Sequence, residues 1–140
     1  MSAAAEFITA PAVELRDVVY AWPGKPALLD IAAFQIARGE RIFLRGPSGT
    51  GKSTLLGLIG GVLTPQRGSV RILGEDLARL GAGARDRQRG DHVGFIFQMF
   101  NLIPYLSVRD NVLLPARFSA QRARQAQRRR SLADEAARLL

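Results

Sequence analysis

The hydrophobic pattern changes period along the chain. "AVELRDVVYAW" (Ala12–Trp22) is rich in β-branched and aromatic residues and puts Val18, Tyr20 and Trp22 on one side of a two-residue alternation, which predicts a strand. "PGKP" (Pro23–Pro26) has turn chemistry. "ALLDIAAFQIA" follows as further strand-like sequence until Gly39 punctuates it. "RIFLRG" (Arg41–Gly46) predicts a short apolar strand running straight into a glycine-rich loop. Beyond that loop the period becomes helical: Leu55, Leu56, Leu58 and Ile59 form an apolar face, and Gly60-Gly61 predict its end.

"TPQRGS" (Thr64–Ser69) predicts a turn, with Pro65 fixing φ, and "VRILG" another strand. "EDLARLGAGARDRQRGD" (Glu75–Asp91) is polar and predicts short helical pieces at most. "VGFIF" (Val93–Phe97) has the continuous apolar character of a buried strand and ends at Gln98. "SVRDNVLLP" predicts a short helix from a capping Ser107 to Pro115. A helical pattern then runs from Ser119 to Leu140 without a terminal cap. No internal repeat is visible.

The loop meets the pattern G-x-x-x-x-G-K-[ST] with Gly46, Gly51, Lys52 and Ser53. Each residue has its own physical reason. Glycines, Gly49 included, let backbone N–H groups wrap phosphate oxygens without Cβ clashes. Pro47, Ser48 and Thr50 complete the cradle. A helix beginning near Lys52 turns its positive end toward the anion. Lys52 reaches the β- and γ-phosphates as a point charge, and the Ser53 hydroxyl suits Mg²⁺. A preceding apolar strand and a following helix are the context this motif requires. The bland alternative is a glycine-rich turn with an incidental lysine.

A chain of 140 residues is enough for one core, and the absence of cysteine removes disulfides and thiolate metal sites. "MSAAAEFITAPA" has no basic start and no apolar core, unlike a signal peptide. "LLGLIGGVL" is too short to cross a bilayer. Together these predict a soluble, cytosolic chain. The net charge of +8 and pI near 11.3 favour polyanionic partners. The excess concentrates between Asp110 and Asp134, where Arg117, Arg122, Arg124, Arg128, Arg129 and Arg130 lie with no acid among them. A solvated helix face is the simple reading. A nucleic-acid-associated P-loop protein is the alternative, weakened by the lack of interleaved aromatics for base stacking, so nucleic acid is an unlikely partner.

The loop alone does not choose among nucleotide-binding families. Its flanks, "VVYAWPGKPALLDIAAFQIARGERIFLRGPSGTGKSTLLGLIGGVLTPQRGSVRILG" and "VGFIFQMFNLIPYLSVRDNVLLP", resemble the nucleotide-binding subunit of ATP-binding-cassette (ABC) transporters from about Val13 to at least Pro115. "FNLIPYLSVRDNV" is most similar to the lipoprotein-releasing and macrolide-efflux branch. The fold implied is α/β, a P-loop NTPase with an N-terminal antiparallel β part plus the start of a mostly parallel core sheet, incomplete at its C-terminus. Residues 1–11 would be a flexible lead-in, 12–98 the ATP-binding core, and 99–140 the start of a helical subdomain.

The resemblance also implies roles. Trp22 sits where the family places the aromatic that stacks on adenine, with Tyr20 as the fallback; without the resemblance both read as core or edge-strand residues. Gln98 matches a glutamine that ligates Mg²⁺ or holds the attacking water, against the bland reading of an exposed strand-end Gln. Thr54 would add a hydroxyl near the α-phosphate. The implied ligands are ATP and Mg²⁺. The segment after Gln98 would meet a transmembrane permease, a second copy would complete the ATP site, and the assembly would sit on the cytoplasmic face of the inner membrane. Exposed, "MFNLIPYLSVRDN" would be adaptable contact surface; buried, it would be ordinary core.

Three family parts have no match in these residues. There is no "LSGGQ" or close variant and no four-residue apolar run before an Asp-Glu pair. Asp134-Glu135 lies in an amphipathic helix pattern, and the single histidine, His92, precedes Gln98 and reads as a surface residue. The expectation is an N-terminal portion of a longer ATPase subunit, marginally folded by itself, holding nucleotide weakly and hydrolysing little. A nucleotide-binding module without catalysis is the further alternative.

Overall fold

The computed structural model describes residues 10–97, 99, 101–128 and 131–139. The chain forms two compact units, residues 1–82 and 83–140.

In the first unit, β1 (Val13–Ala21), β2 (Ala27–Ile36), β3 (Arg67–Ile72) and β4 (Glu75–Asp76) form an antiparallel sheet in the order β2-β1-β3-β4. The predicted turn joins β1 to β2: Pro23 and a left-handed Gly24 are its central residues, and Lys25 N–H donates to the Trp22 carbonyl at 2.9 Å. Helix α1 (Lys52–Ile59) ends at Gly60, as its sequence predicts. Its Leu55 and Leu58 join Leu15, Val18, Tyr20, Val70, Ile72 and Leu77 in the core. Strict alternation would bury Leu15 and Asp17 together. Instead Asp17 takes a left-handed conformation and the β1–β3 register shifts between Arg16 and Val19. That bulge turns Leu15 and Val18 to the same buried side.

Several elements differ from the sequence expectation. Neither Arg41–Gly46 nor Val93–Phe97 is a strand. A strand exists only through its ladder, and neither segment has a ladder partner among the described residues. Their side chains are accordingly open to solvent: Phe43 is 87% exposed and Ile96 fully so. Among the described residues the sheet is the antiparallel part alone. Arg67–Ser69, read as turn, belong to β3. Leu73 and Gly74, both at positive φ, close a two-residue hairpin between β3 and β4. The polar stretch after it holds a 3₁₀ turn (Leu77–Arg79) and an eleven-residue helix, α2 (Ala82–His92). Its Ala, Arg and Gln residues favour helix, an Arg89–Asp86 ion pair at 2.8 Å adds to them, and together they offset Gly83 and Gly90.

In the second unit α3 (Val108–Phe118) runs three residues past the predicted stop. Pro115 lies inside it and leaves the Asn111 carbonyl without its usual i+4 donor. The long C-terminal helix is instead two, α4 (Ala120–Gln127) and α5 (Leu132–Leu139). Each starts on a serine: Ser119 Oγ accepts from Arg122 N–H and Ser131 Oγ from Asp134 N–H. Among the described residues this unit buries only Ser119 and Ala136, so polar contacts contribute much of its order. Ser119 Oγ donates to Asp91. Arg122 donates to the carbonyls of Gly90 at 2.6 Å and Val93 at 2.8 Å, satisfying the C-terminal end of α2.

Candidate nucleotide site

The glycine-rich loop leads into α1 through two left-handed glycines, Gly49 at φ 82° and Gly51 at φ 88°. Ser48 and Thr50, on either side of Gly49, are not left-handed, and such an alternation is the backbone pattern of an anion nest. Gly51 is the N-cap of α1; its carbonyl accepts from Leu55 N–H at 2.8 Å, and no side chain caps the helix. No acid occupies the first turn. The helix therefore presents free N–H groups and an unopposed positive end to the loop.

Lys52 folds back under the loop. Its Nζ donates to the carbonyls of Gly46 at 2.8 Å and Pro47 at 2.5 Å. Thr50 Oγ1 donates to the same Pro47 carbonyl at 2.9 Å. These bonds set the loop's curvature around an ammonium. A cavity of about 350 Å³ lies against the loop, walled by Leu29, Leu44, Gly46, Pro47, Gly51 and Lys52 among others. Ser53 is exposed, whereas Thr54 is only 7% exposed. Thr54 thus faces the core side of the helix and Ser53 the open side. Among the described residues no three His, Cys, Asp or Glu gather as a metal site. A metal here would draw its oxygens from Ser53 and from phosphate, a donor set that suits Mg²⁺.

Of the two candidate aromatics, Tyr20 is buried at 6% exposure and Trp22 is 45% exposed. Their rings meet edge to face, with centroids 5.4 Å apart at 88°. Tyr20 pairs across the ladder with Leu29, the residue that also walls the loop cavity. One hairpin therefore reaches both the aromatic pair and the loop. Gln98 lies outside the described residues.

The segment beyond it is open: Met99, Leu102, Tyr105 and Val108 are all exposed, while Ile103 and Leu106 are half-buried. The Asn111 side chain organises this segment. Its Oδ1 accepts from Ile103 N–H at 2.8 Å, and its Nδ2 donates to the carbonyls of Ile103, Leu106 and Ser107 at 3.0–3.2 Å. Asn111→Ala is expected to speed hydrogen exchange at the Ile103 amide by about tenfold or more. Unchanged exchange would mean the loop holds without that side chain. In the basic cluster, Arg117 pairs with Asp110 at 2.9 Å and Arg122 binds the carbonyls of Gly90 and Val93, so both of these arginines are engaged within the fold.

The ABC transporter family model matches residues 29–140. The macrolide export ATP-binding/permease protein MacB 1 of Aeromonas hydrophila subsp. hydrophila is 49% identical over 84 residues, 60% of this chain and 13% of that protein. The lipoprotein-releasing system ATP-binding protein LolD of Chromohalobacter salexigens is 38% identical over 107 residues, 76% of this chain and 45% of that protein. Among solved structures, the dimeric structure of MJ0796, a bacterial ABC transporter cassette, superposes with a TM-score of 0.70 at 37% identity. That match covers 76% of this chain and 47% of the cassette chain. The same cassette in a post-hydrolysis state bound to ADP and Pi gives a TM-score of 0.68 at 38% identity. The chain thus spans less than half the length of these relatives.

Proposed function

Because the chain belongs to the ABC transporter ATP-binding family, we propose that it binds Mg-ATP through residues 46–54 as part of a subunit that energises a membrane permease. The carrying observation is the loop itself: two left-handed glycines, an uncapped helix start and an ammonium gathered beneath the carbonyls of Gly46 and Pro47. On binding, Lys52 exchanges those carbonyls for β- and γ-phosphate oxygens, a stronger, charge-assisted contact. The backbone N–H groups of the loop hold the remaining oxygens. Ser53 and Gln98 would hold Mg²⁺, which neutralises phosphate charge when bound. Trp22, 45% exposed, stacks on the adenine; Tyr20 supports it from the core. Thr54, largely buried, steadies the helix start beside the α-phosphate.

Gln98 senses the γ-phosphate and passes its presence to the exposed segment with Met99, Leu102 and Tyr105, which receives the permease. A second copy closes over the bound nucleotide, as the dimeric relative suggests. These 140 residues hold no signature motif and no catalytic Glu after an apolar run, so they bind ATP without steady turnover. The assembly works at the cytoplasmic face of the inner membrane; no helix among the described residues is long and apolar enough to cross a bilayer.

The test is Mg²⁺ dependence. Ser53→Ala should bind ATP in Mg²⁺ about as weakly as the parent chain does in EDTA. An undiminished Mg²⁺ effect in that variant removes Ser53 from the metal site. Steady ATP turnover by the chain alone, lost in Lys52→Ala, would overturn the binding-only reading.

A further inference from the structure

We propose that Gln66 is a positioning residue that fixes the adenine platform; this rests on the reading of Trp22 as that platform. Gln66 lies 45 positions from Ala21, yet it grips that residue's backbone from both sides. Its Oε1 accepts from Ala21 N–H at 2.8 Å, and its Nε2 donates to the Ala21 carbonyl at 2.6 Å. Its own N–H donates to the Val19 carbonyl at 3.0 Å. A side-chain amide carries one donor and one acceptor side by side, so it can imitate the peptide group of a neighbouring strand.

The sheet explains why an imitation is needed. Val19 pairs with Arg67, the first residue of β3. Continuing that register would set Pro65 opposite Ala21, and proline has no N–H to give. On the other edge the β1–β2 register shifts between Tyr20 and Ala21. Ala21 is thus the point where β1 runs out of β3 partners, and on the β2 side it keeps Ala27 only across the shift. Gln66 closes the ladder there with its side chain. The next residue is Trp22, whose carbonyl is held by Lys25 N–H. Backbone pins at Ala21 and at the turn leave the indole few directions, and its edge-to-face contact with Tyr20 selects among them. The ring is therefore set before a base arrives, which lowers the ordering cost of stacking.

The experiment compares ATP with inorganic triphosphate, which the loop can bind but the platform cannot. Trp22 is the only tryptophan of the chain, so its fluorescence anisotropy reports its own mobility. Gln66→Ala should weaken ATP binding by about fivefold, leave triphosphate binding unchanged and lower the anisotropy. Gln66→Leu, which keeps the bulk and loses both hydrogen bonds, should show the same losses; it also serves if the alanine variant folds poorly. The double variant with Trp22→Ala should bind ATP no worse than Trp22→Ala alone. Equal losses for ATP and triphosphate in Gln66→Ala would overturn the inference. So would additive losses in the double variant, or an unchanged ATP affinity in Gln66→Ala while Trp22→Ala weakens it. If Trp22→Ala itself leaves ATP affinity unchanged, the platform reading falls and takes the inference with it.

Discussion

Lys52→Ala should weaken Mg-ATP binding by about a hundredfold, because two charge-assisted contacts to phosphate disappear at once. The loop loses a second thing. In the free protein the Lys52 ammonium draws the carbonyls of Gly46 and Pro47 together, at 2.8 and 2.5 Å. Without it both carbonyls must find water, and the loop no longer rests in its curled form. Lys52→Arg separates the two effects. Arginine keeps the charge, but its planar fork does not fit two carbonyls that converge on one point, so a loss of about tenfold should remain. Calorimetric titration with ATP reads both variants, and urea unfolding checks that each is folded. A change below about threefold for the alanine variant would mean that backbone N–H groups alone hold the phosphates.

The loop was legible in the sequence because its chemistry is local. Positive φ at Gly49 and Gly51 and the helix start at Lys52 are properties of adjacent residues. The stop at Gly60 and the Pro23-Gly24 turn are equally local. What failed was what depends on distant partners. Arg41–Gly46 and Val93–Phe97 have strand composition, yet composition cannot supply a ladder. Leu73-Gly74 is an unlikely-looking pair for a hairpin, since leucine resists positive φ. It is held there by packing on the core and by a bond from Leu73 N–H to the Ala12 carbonyl at 3.0 Å. The Gln66 grip on Ala21 spans 45 positions and leaves no trace in any local window. Pro115 misled differently: proline weakens a helix interior without forbidding it, and the bonds around Asn111 secure the start of α3.

Gly68→Ala should destabilise the first unit by about 3 kcal/mol, the combined cost of a left-handed alanine and a backbone collision. Gly68 sits in β3 at φ 87°, where the strand crosses the bulge at Asp17. A Cβ at this position would strike the carbonyls of Arg16 and Asp17. Backbone atoms in a paired sheet cannot swing aside as a side-chain tip can. The bulge would have to open, and it is the bulge that turns Leu15 and Val18 together into the core. Asp17→Gly supplies the control: it relieves the left-handed strain at the facing residue without adding an atom, and should be neutral or slightly stabilising. Urea unfolding of both variants measures the difference. A loss under about 1 kcal/mol for Gly68→Ala would show that β1 and β3 can re-register, and surface-bulge flexibility would then replace steric definition as the account of this sheet. The consequence reaches the nucleotide site as well. Gln66 stands two residues before Gly68, so a β3 pushed off the bulge loses its hold on Ala21, and ATP affinity should fall together with stability.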